Sequence, residues 1–260
     1  MKPEVITASI AAIVAIISAV ISIYGQTRIA RLTDRLSKQR EAESREAQTA
    51  SLMSKYRDPL LRSAIDLQSR LYNIHRNRFL ERFYLESAAA QNYARYNTLY
   101  VVAEYLGWVE ILRREIQFLD LGDLERNRRL TELLASINQA FGNYKPGSLF
   151  RLFNGEQRAI GEIMTVPRSN SEVIGYDCIG YATFVKKMGE PEFASWFAKL
   201  SDDIDLIAAS KVDLKRLVMI HSRLIDLIDF LDPHQIRVPP RHRTRIEPPQ
   251  VDAHNQPKIS

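Results

Sequence analysis

Residues 5–24 form a run of twenty residues without a charged side chain. Seven of them are Ile, three are Val and five are Ala, and the other five carry only hydroxyl groups. A helix of twenty residues is about 30 Å long, which matches the hydrocarbon core of a bilayer. Each Ile or Val at its centre favours insertion by about 0.3–0.6 kcal/mol. The run therefore predicts a transmembrane anchor over residues 1–26.

A cleaved signal peptide is the alternative for this run. Such peptides combine a basic start, an apolar core of about 7–15 residues and a cleavage site of small residues. Lys2 is the one basic residue before the run, and the run is longer than that core. The sequence therefore favours an uncleaved signal anchor in a single-pass membrane protein.

Basic residues are concentrated on one side of the anchor. Lys2 and Glu4 cancel before it, whereas five basic residues follow it: Arg28, Arg31, Arg35, Lys38 and Arg40. Because flanks rich in Lys and Arg stay on the cytoplasmic side, we expect the N-terminus outside the inner (plasma) membrane and the main domain in the cytoplasm. Arg28, Arg31 and Arg35 are candidates for contact with anionic lipid.

Small side chains recur within the anchor at steps of three and four. Four alanines and a serine form this face: Ala8, Ala12, Ala15, Ala19 and Ser22. Small faces let membrane helices approach closely, so the spacing predicts a homo-oligomer formed through the anchor. The alternative is that Ala and Ser are simply common in membrane helices.

The charge of the chain is unevenly distributed. The formal net charge is +5, but residues 51–232 hold 24 basic and 24 acidic side chains and are neutral. The excess lies in residues 28–50 and 233–260, which carry +2 and +3. A neutral body has no field that attracts a polyanion, which argues against nucleic acid as a partner. The single cysteine, Cys178, fits a reducing compartment and a place in a core.

Residues 27–55 predict a polar helical stalk. Ile29, Leu32 and Leu36 begin a heptad seam, but polar residues fill the next seam positions: Gln39, Glu43 and Glu46. A coiled coil would therefore end soon after it begins, because its seam needs apolar residues throughout. The sequence therefore favours a charged helical stalk with solvated faces, and a dimerising coiled coil is the alternative.

Residues 56–232 predict an all-α, bundle-like cytoplasmic domain. Asp58 and Pro59 suit the start of a helix, and Asn154 with Gln157 suits a capping box at the start of another. Apolar residues recur at helical steps between these signals. Besides the helix from Pro59, the sequence predicts helices over 89–119 and 124–141, within 149–164, and over 176–188, 192–209 and 211–231, and it requires no strand.

Residues 233–260 contain six prolines and hardly any large apolar side chains. Such a segment buries too little surface to offset its ordering entropy, so the composition predicts a disordered tail. Three arginines in it, Arg241, Arg243 and Arg245, are candidates for contact with the anionic inner leaflet. The alternative is a solvated tail that binds nothing tightly.

The sequence contains no phosphate-binding glycine loop, no nucleophile elbow and no pair of histidines at metal spacing. We therefore expect no metal and no cofactor, and whether the domain is an enzyme stays open. His221 interrupts an apolar stripe and is interpreted as a hydrogen-bonded core residue, with a general base or metal ligand as alternatives. Candidate binding residues lie in the predicted helix of residues 89–119: Tyr93, Tyr100, Glu104, Trp108, Glu110 and Arg113.

Four segments carry a resemblance to a known kind of protein. They are YRDPLLR at residues 56–62, LQSRLYN at 67–73, GWVEILRRE at 107–115 and GEQRAIGE at 155–162. Over residues 55–165 the chain resembles an uncharacterised family of bacterial single-pass membrane proteins with a helical cytoplasmic domain. The resemblance implies a bacterial inner membrane. Because the family has no known activity, no functional residue transfers from it.

These features predict a membrane-anchored scaffold, adaptor or sensor that acts through protein interaction at the cytoplasmic face of the membrane. A large helical domain without catalytic motifs, attached by an anchor and a stalk, motivates this prediction. Two alternatives stay open. One is a helical enzyme or small-ligand-binding domain that uses Tyr93, Tyr100 and Trp108, and the other is an oligomeric effector that perturbs the membrane.

Overall fold

The computed structural model describes residues 3–116, 124–145, 149–168 and 175–246. Within these ranges, side chains are described from residue 22 onward, apart from residues 42, 45–54, 116 and 124. The chain forms two compact units, Met1–Leu52 and Met53–Ser260. Helices make up most of the described chain, which confirms the predicted helical class, although a two-stranded hairpin is also present.

The first unit is helical and its described side chains face solvent. Helix α1 (Pro3–Arg76) begins in this unit, and nearly all side chains described between residues 22 and 41 are exposed. Ile29, Leu32 and Leu36, which begin the predicted heptad seam, are 66%, 52% and 54% exposed. The predicted stalk is therefore helical, and its short apolar seam is open to solvent.

The predicted membrane anchor lies largely outside the described side chains. Residues 5–21 fall there, including Ala8, Ala12, Ala15 and Ala19 of the small face, whereas Ser22 is exposed. Among the residues that the structure describes, no helix is long and apolar enough to cross a bilayer. The anchor and its self-association stay predictions.

The helix start predicted at Asp58 and Pro59 is wrong, because α1 continues through Pro59. Proline lacks the N–H that would bond to the carbonyl one turn earlier, and it usually breaks or kinks a helix. Here Tyr56 and Leu60, on either side of Pro59, are 3% and 1% exposed and belong to the same core. Burial on both sides of Pro59 offsets the lost hydrogen bond.

The second unit contains the end of α1 and a series of shorter elements. In chain order these are α2 (Phe79–Phe83), α3 (Ala88–Ile116), α4 (Leu124–Gly142), α5 (Asn154–Ile163), β1 (Thr165–Pro167), β2 (Tyr176–Cys178), α6 (Tyr181–Lys187), α7 (Pro191–Ser195), α8 (Ala198–Ala209), α9 (Lys215–Leu231) and a 3-10 helix (Pro240–Arg243).

Two predicted helices differ from the observed ones at identifiable residues. The helix predicted over 192–209 is divided into α7 and α8, and the break lets both Phe193 and Phe197 enter the core, where they are 6% and 0% exposed. The helix predicted over 211–231 begins at Lys215, after a turn in which the Asp213 side chain accepts the Lys215 N–H at 2.9 Å.

Helix α3 is the centre of the second unit. It contacts α2, α5, α6, α8 and both strands. Ala94, Val102, Ala103 and Tyr105 of this helix are fully buried. Small and large side chains thus alternate along its buried faces, which lets neighbouring helices pack closely. Only a narrow face of α3 reaches the surface.

Helix α5 packs directly on α3 at Gly161. A Cβ atom at this position would lie 2.7 Å from the Leu106 carbonyl oxygen and 2.8 Å from Glu110 Cβ. Both distances are shorter than van der Waals contact, and the carbonyl belongs to helical backbone that cannot rotate away. Gly161 therefore determines how closely the two helices approach.

We expect Gly161→Ala to lower the free energy of unfolding by roughly 1–3 kcal/mol, because the added methyl group overpacks this contact. Gly155→Ala, in the first turn of the same helix, is the matched control, since a Cβ there meets nothing within 4 Å. The control should be neutral or stabilise by up to about 1 kcal/mol. Urea unfolding followed by circular dichroism measures both variants, and equal stabilities would contradict the close contact.

A short hairpin follows α5 where the sequence predicts none. Strands β1 and β2 are antiparallel, with Thr165 opposite Cys178 and Pro167 opposite Tyr176. The predicted helix over 176–188 is therefore wrong at its start. Strands of three residues are too short to show an alternating pattern, and their pairing is decided by contacts distant in sequence.

The predicted capping box at the start of α5 is displaced by one residue. The Phe153 N–H donates to Glu156 Oε2 at 2.6 Å, so Glu156 closes the first turn. Gln157 is 4% exposed and donates to two backbone carbonyls at 3.1 and 2.8 Å. Asn154, the predicted cap, is the first helical residue and is exposed. The sequence spacing allows a capping box from Asn154 to Gln157 or one from Phe153 to Glu156. Because Gln157 is buried, the second is formed.

A buried arginine closes the end of α4. Arg216 of α9 is 1% exposed and donates to the carbonyl oxygens of Ala140, Phe141 and Asn143 at 3.0, 2.8 and 2.5 Å. The last carbonyls of a helix lack intrahelical partners, and a cation is favourable at this negative end. The Arg216 side chain therefore joins α9 to α4.

The segment of residues 233–246 is ordered, which corrects the predicted disorder of this part of the tail. Asp232 is 4% exposed and accepts the N–H groups of residues 236–238. Arg243 donates to the same carboxylate at 2.8 Å. Burial raises the pKa of Asp232, but these donors outweigh burial and the net pKa lies below its usual range. Val238 is 2% exposed, so the segment also contributes to the core.

Ion pairs attach this segment to the helices. Arg237 pairs with Asp58 of α1 at 2.8 Å, and Arg245 pairs with Asp226 of α9 at 2.7 Å. A composition rich in Pro and Arg indicated disorder because it offers little apolar surface to bury. The segment is instead attached by ion pairs. The rest of the predicted tail, residues 247–260, lies outside the described residues.

His221 is a hydrogen-bonded core residue, as predicted. It is 0% exposed, and its Nε2 lies 2.9 Å from the Gln68 side-chain nitrogen. Burial, assisted by the charges of Arg245 and His75, lowers the pKa of His221 to about 4. The fold therefore accommodates the neutral ring.

We expect His221 to make the stability of the fold depend on pH. The unfolded chain binds a proton at this residue near pH 6.5, whereas folded His221 binds it only near pH 4. The free energy of unfolding should therefore fall as the pH drops through this window, by roughly 3 kcal/mol in total. Urea unfolding across the window measures the loss, and NMR of the His221 ring reports its protonation. A ring signal that titrates near pH 6.5 would contradict the burial.

Candidate functional site

The open face of α3 brings three sequence-predicted residues together with residues of α1. Tyr93, Tyr100 and Glu104 share this face because they are spaced by whole helical turns. Two residues of α1 lie opposite. Arg70 donates a hydrogen bond to Asn97 of α3, and the charge of Asp66 raises the pKa of Glu104. The group, termed the α1–α3 strip, consists of Asp66, Arg70, Tyr93, Asn97, Tyr100 and Glu104.

Arg70 organises one end of the strip. Its guanidinium donates to Asn97 Oδ1 and lies over the rings of Phe79 and Tyr93, 4.1 and 6.0 Å from their centroids. Burial lowers the pKa of Arg70, and the neighbouring Tyr93 and Tyr181 partly oppose that effect. Since arginine stays charged in proteins, this end of the strip presents a cation held between aromatic rings.

The aromatic surface continues from Phe79 towards solvent. The ring centroids of Phe79 and Phe83 are 5.1 Å apart, and Phe83, Leu85 and Tyr93 are 44%, 79% and 51% exposed. Single exposed apolar residues are ordinary, whereas aromatic side chains grouped around an arginine are typical of the centres of protein interfaces. Arg70, Phe79, Phe83 and Tyr93 are termed the aromatic–arginine surface.

Two carboxylates form the other end of the strip. Burial raises the pKa of Glu104, and the negative charge of Asp66 raises it further. A hydrogen bond with Tyr100 and the positive charge of Arg62 lower it, but by less. Burial also raises the pKa of Asp66, against the effect of Arg62. Two acids thus share one nearby guanidinium, and both keep their protons to higher pH than free acids do.

Tyr100 and Cys178, next to these acids, are held in their protonated forms. Tyr100 packs edge-on against Tyr181 and Phe184, with centroids 5.3 and 5.6 Å away, and burial together with Glu104 raises its pKa. The Cys178 Sγ lies 4.0 Å from the Glu104 backbone oxygen. Burial, and then Glu104, raises the pKa of this thiol to about 12. A protonated thiol is a poor nucleophile, which supports the packing role predicted for Cys178.

Gly107 determines how closely the hairpin approaches the strip. A Cβ atom on Gly107 would lie 2.7 Å from Cys178 Sγ and 3.1 Å from Met164 Cβ. Any larger residue would push β2 away from α3. Cys178 therefore reaches Glu104 because α3 carries a glycine one turn further along.

The other three sequence candidates serve the fold. Glu110 is 4% exposed and accepts from Arg113 at 2.8 and 2.6 Å and from Arg114 at 2.8 Å. Burial raises the pKa of Glu110, but these hydrogen bonds outweigh it and leave the pKa lowered. Trp108 packs against the core. Glu110, Arg113 and Trp108 are therefore not part of the strip.

Sequence reasoning missed the α1 side of the strip. Asp66 and Arg70 are one helical turn apart, and an acid and a base at this spacing are usually a solvated pair on a helix surface. Nothing local distinguishes them from such a pair. Their role is visible only once α1 is placed against α3.

The arginines predicted to contact lipid fall into different environments. Arg28, Arg31 and Arg35 are exposed in the first unit. Arg243 pairs with Asp229 and Asp232 at 2.6 and 2.8 Å, and Arg245 pairs with Asp226, so their charges are already matched within the fold. Arg241 forms no ion pair with any residue that the structure describes.

The strip offers hydrogen bonding and proton exchange rather than nucleophilic attack. It combines the Arg70 guanidinium, the protonated Tyr100 phenol and two carboxylates with raised pKa values. In the described part of the chain, no group of three His, Cys, Asp or Glu side chains could hold a metal ion. Comparison with protein-family models, curated proteins and solved structures finds no match for this chain.

We expect Glu104→Gln to stabilise the fold at neutral pH. Because the folded pKa of Glu104 is raised above 4.5, stability present in the protonated form is lost as the pH rises through the folded pKa. Gln keeps the shape without the charge, so the gain at neutral pH should be on the order of 1 kcal/mol and should vanish in acid. Thermal unfolding measures it, with Asp202→Asn, an exposed acid of α8, as control. A loss of stability at neutral pH would contradict the burial of Glu104.

Proposed function

We propose that this protein is a single-pass protein of a bacterial inner membrane whose cytoplasmic helical domain is a scaffold, adaptor or sensor that binds a protein partner. The uncharged run of residues 5–24 and the basic residues that follow it support the placement. The resemblance over residues 55–165 agrees with it. The small-residue face of the anchor supports a homo-oligomer.

The aromatic–arginine surface is the observation that carries the binding function. Tyr, Phe and Arg are enriched at interfaces, and a few such residues supply most of the binding energy. Arg70 is already held by Asn97 and by the Phe79 ring. A partner that covers Arg70 therefore loses little binding energy to the entropy cost of ordering its side chain. Tyr93 beside Arg70, and Phe83 beside Phe79, supply exposed aromatic area.

Basic side chains indicate the chemistry of the partner. Residues 70–86 contain four arginines and two glutamates, and Glu81 is paired with Arg78. Arg76 and Arg82 are exposed and form no ion pair with a described residue. A matching partner presents an apolar side chain flanked by acidic ones, because complementary charge speeds encounter and fixes orientation.

We expect Phe83→Ser to reduce capture of the partner about tenfold or more, because it removes an exposed aromatic side chain from the surface. Trp196→Ser is the matched control, since Phe83 and Trp196 are both 44% exposed and Trp196 lies outside this surface. The full-length chain is purified from native membranes in mild detergent. Mass spectrometry then quantifies each co-purified protein per chain.

The outcome separates a partner from background. A protein that Trp196→Ser retains and Phe83→Ser loses is the expected result, with circular dichroism showing that both variants are folded. If every co-purified protein stays with Phe83→Ser, the surface does not bind the partner and the proposal is wrong.

The acidic end of the strip favours a second function, the binding or turnover of a small polar ligand. Carboxylates with perturbed pKa values beside a phenol are typical of functional sites, and Asp66, Tyr100 and Glu104 form such a group. An activity that Glu104→Gln loses and Phe83→Ser keeps would favour a helical enzyme or ligand-binding domain over a scaffold.

A further inference from the structure

A second site lies between α1 and the ordered C-terminal segment. Here a half-enclosed cavity of about 260 Å³ is lined by Gln68, Ser69, Tyr72 and Asn73 on one side and by residues within 241–244 on the other. None of its lining residues belongs to the α1–α3 strip. The volume is below the roughly 300–1,000 Å³ of sites for drug-sized ligands, so the cavity suits a small group.

The cavity is lined by hydrogen-bond donors. The Ser69 and Thr244 hydroxyls donate to Gln68 Oε1 and to the Arg241 carbonyl oxygen, so the available donors on the α1 wall are the Tyr72 hydroxyl and the Asn73 amide. The Asn73 side-chain oxygen already accepts from Asn77 at 2.7 Å, which leaves the Asn73 amino group as a donor. Of the described residues that line the cavity, none is an acid. Such a lining favours a negatively charged ligand with several acceptor oxygens.

Arg241 supplies the positive charge of the cavity. The three other arginines of the segment, Arg237, Arg243 and Arg245, pair with aspartates at 2.8, 2.6 and 2.7 Å. The Arg241 Nε donates to His242 Nε2 at 3.2 Å, and its two terminal nitrogens donate to no residue in the described part of the chain. Arg241 is therefore the one arginine of the segment that forms no ion pair with a described residue, and it is also the one that lines the cavity.

The α1 wall of the cavity is rigid. Gln68 is 3% exposed, and its side-chain nitrogen lies 2.9 Å from Nε2 of the buried His221. The Ser69 hydroxyl donates to Gln68 Oε1 at 3.3 Å, and the Tyr72 ring lies 6.0 Å from the His221 ring. These contacts fix the wall before a ligand arrives, which lowers the entropy cost of binding.

We infer that this cavity binds a phosphate monoester, with the Arg241 guanidinium on two phosphate oxygens and the Tyr72 and Asn73 donors on the others. Guanidinium and phosphate form paired hydrogen bonds of matching geometry. Donors on two opposing walls suit the tetrahedral oxygens of phosphate better than the planar oxygens of a carboxylate. The site goes beyond the protein-binding function, because a bound phosphate would join α1 to the segment that precedes residue 247.

The same phosphate chemistry occurs in a soluble phosphorylated molecule and in the head group of phosphatidic acid. Glycerol 3-phosphate is the probe for the first source, and short-chain phosphatidic acid is the probe for the second. Short-chain phosphatidylcholine is the lipid control, since its phosphate is a diester that carries a cationic choline.

Isothermal titration of the full-length chain in detergent tests the site with a matched pair of variants. Arg241→Gln and Arg237→Gln each remove one positive charge from the same segment, but Arg237 pairs with Asp58 and does not line the cavity. We expect wild type and Arg237→Gln to bind with similar affinity. Arg241→Gln should bind at least about tenfold more weakly, because it loses charge-assisted hydrogen bonds. Tyr72→Phe, which removes one donor from the rigid wall without changing charge, should also weaken binding.

Each result bears on the inference. Binding of glycerol 3-phosphate that Arg241→Gln loses supports a soluble ligand, and binding of phosphatidic acid alone that Arg241→Gln loses supports a lipid head group. Equal binding by Arg241→Gln and Arg237→Gln, unchanged binding by Tyr72→Phe, or no saturable binding of either probe to the wild-type chain would overturn it.

Discussion

The burial of α3 on most of its circumference is the constraint from which the rest of the helical domain follows. This helix packs against α2, α5, α6, α8 and the hairpin, and a helix in such a position must be apolar nearly all round. Polar residues on its packed faces are bonded within the protein, as Arg95 is to Asp205 and Glu110 to Arg113 and Arg114. On the remaining face Tyr93, Asn97, Tyr100 and Glu104 succeed one another by helical turns. The α1–α3 strip is therefore a consequence of packing, because it is the face on which α3 is left open.

Buried charged side chains that stabilise the fold differ from those of the candidate site in how fully they are hydrogen-bonded. A buried charge is tolerated when it is paired or fully hydrogen-bonded. Glu110 meets this condition through Arg113 and Arg114, and Arg216 meets it through three carbonyls at the end of α4. Tyr100 and Arg62 compensate the buried charge of Glu104 only in part, and its raised pKa is the result. The chain accepts this cost at the edge of the core, where a ligand or partner can reach the carboxylate.

Sequence patterns predicted structure where local periodicity and burial agree. The helix predicted over 124–141 is α4, and the apolar stripe around His221 correctly indicated a buried ring. Prediction failed where distant contacts decide: the core around Pro59 carries α1 through a residue that normally begins or breaks a helix, and β1 finds its partner only in the folded chain. The strip was half predictable for the same reason. The shared helical face of Tyr93, Tyr100 and Glu104 is visible in the sequence, whereas the opposing Asp66 and Arg70 depend on how two helices pair.

The segment of residues 233–246 shows how a composition typical of disorder can be ordered by charge. Among its described residues Val238 and Ile246 are the buried apolar ones, which is too little to offset the entropy of ordering it. Asp232 supplies the rest, since three backbone N–H groups and Arg243 converge on one buried carboxylate. Buried ionic groups favour folding only when their hydrogen bonds are satisfied, and most of the segment meets that condition. Arg241 is exposed, so the fold needs no acid to match it. Its guanidinium lines the cavity beside α1, where it is available to an anion.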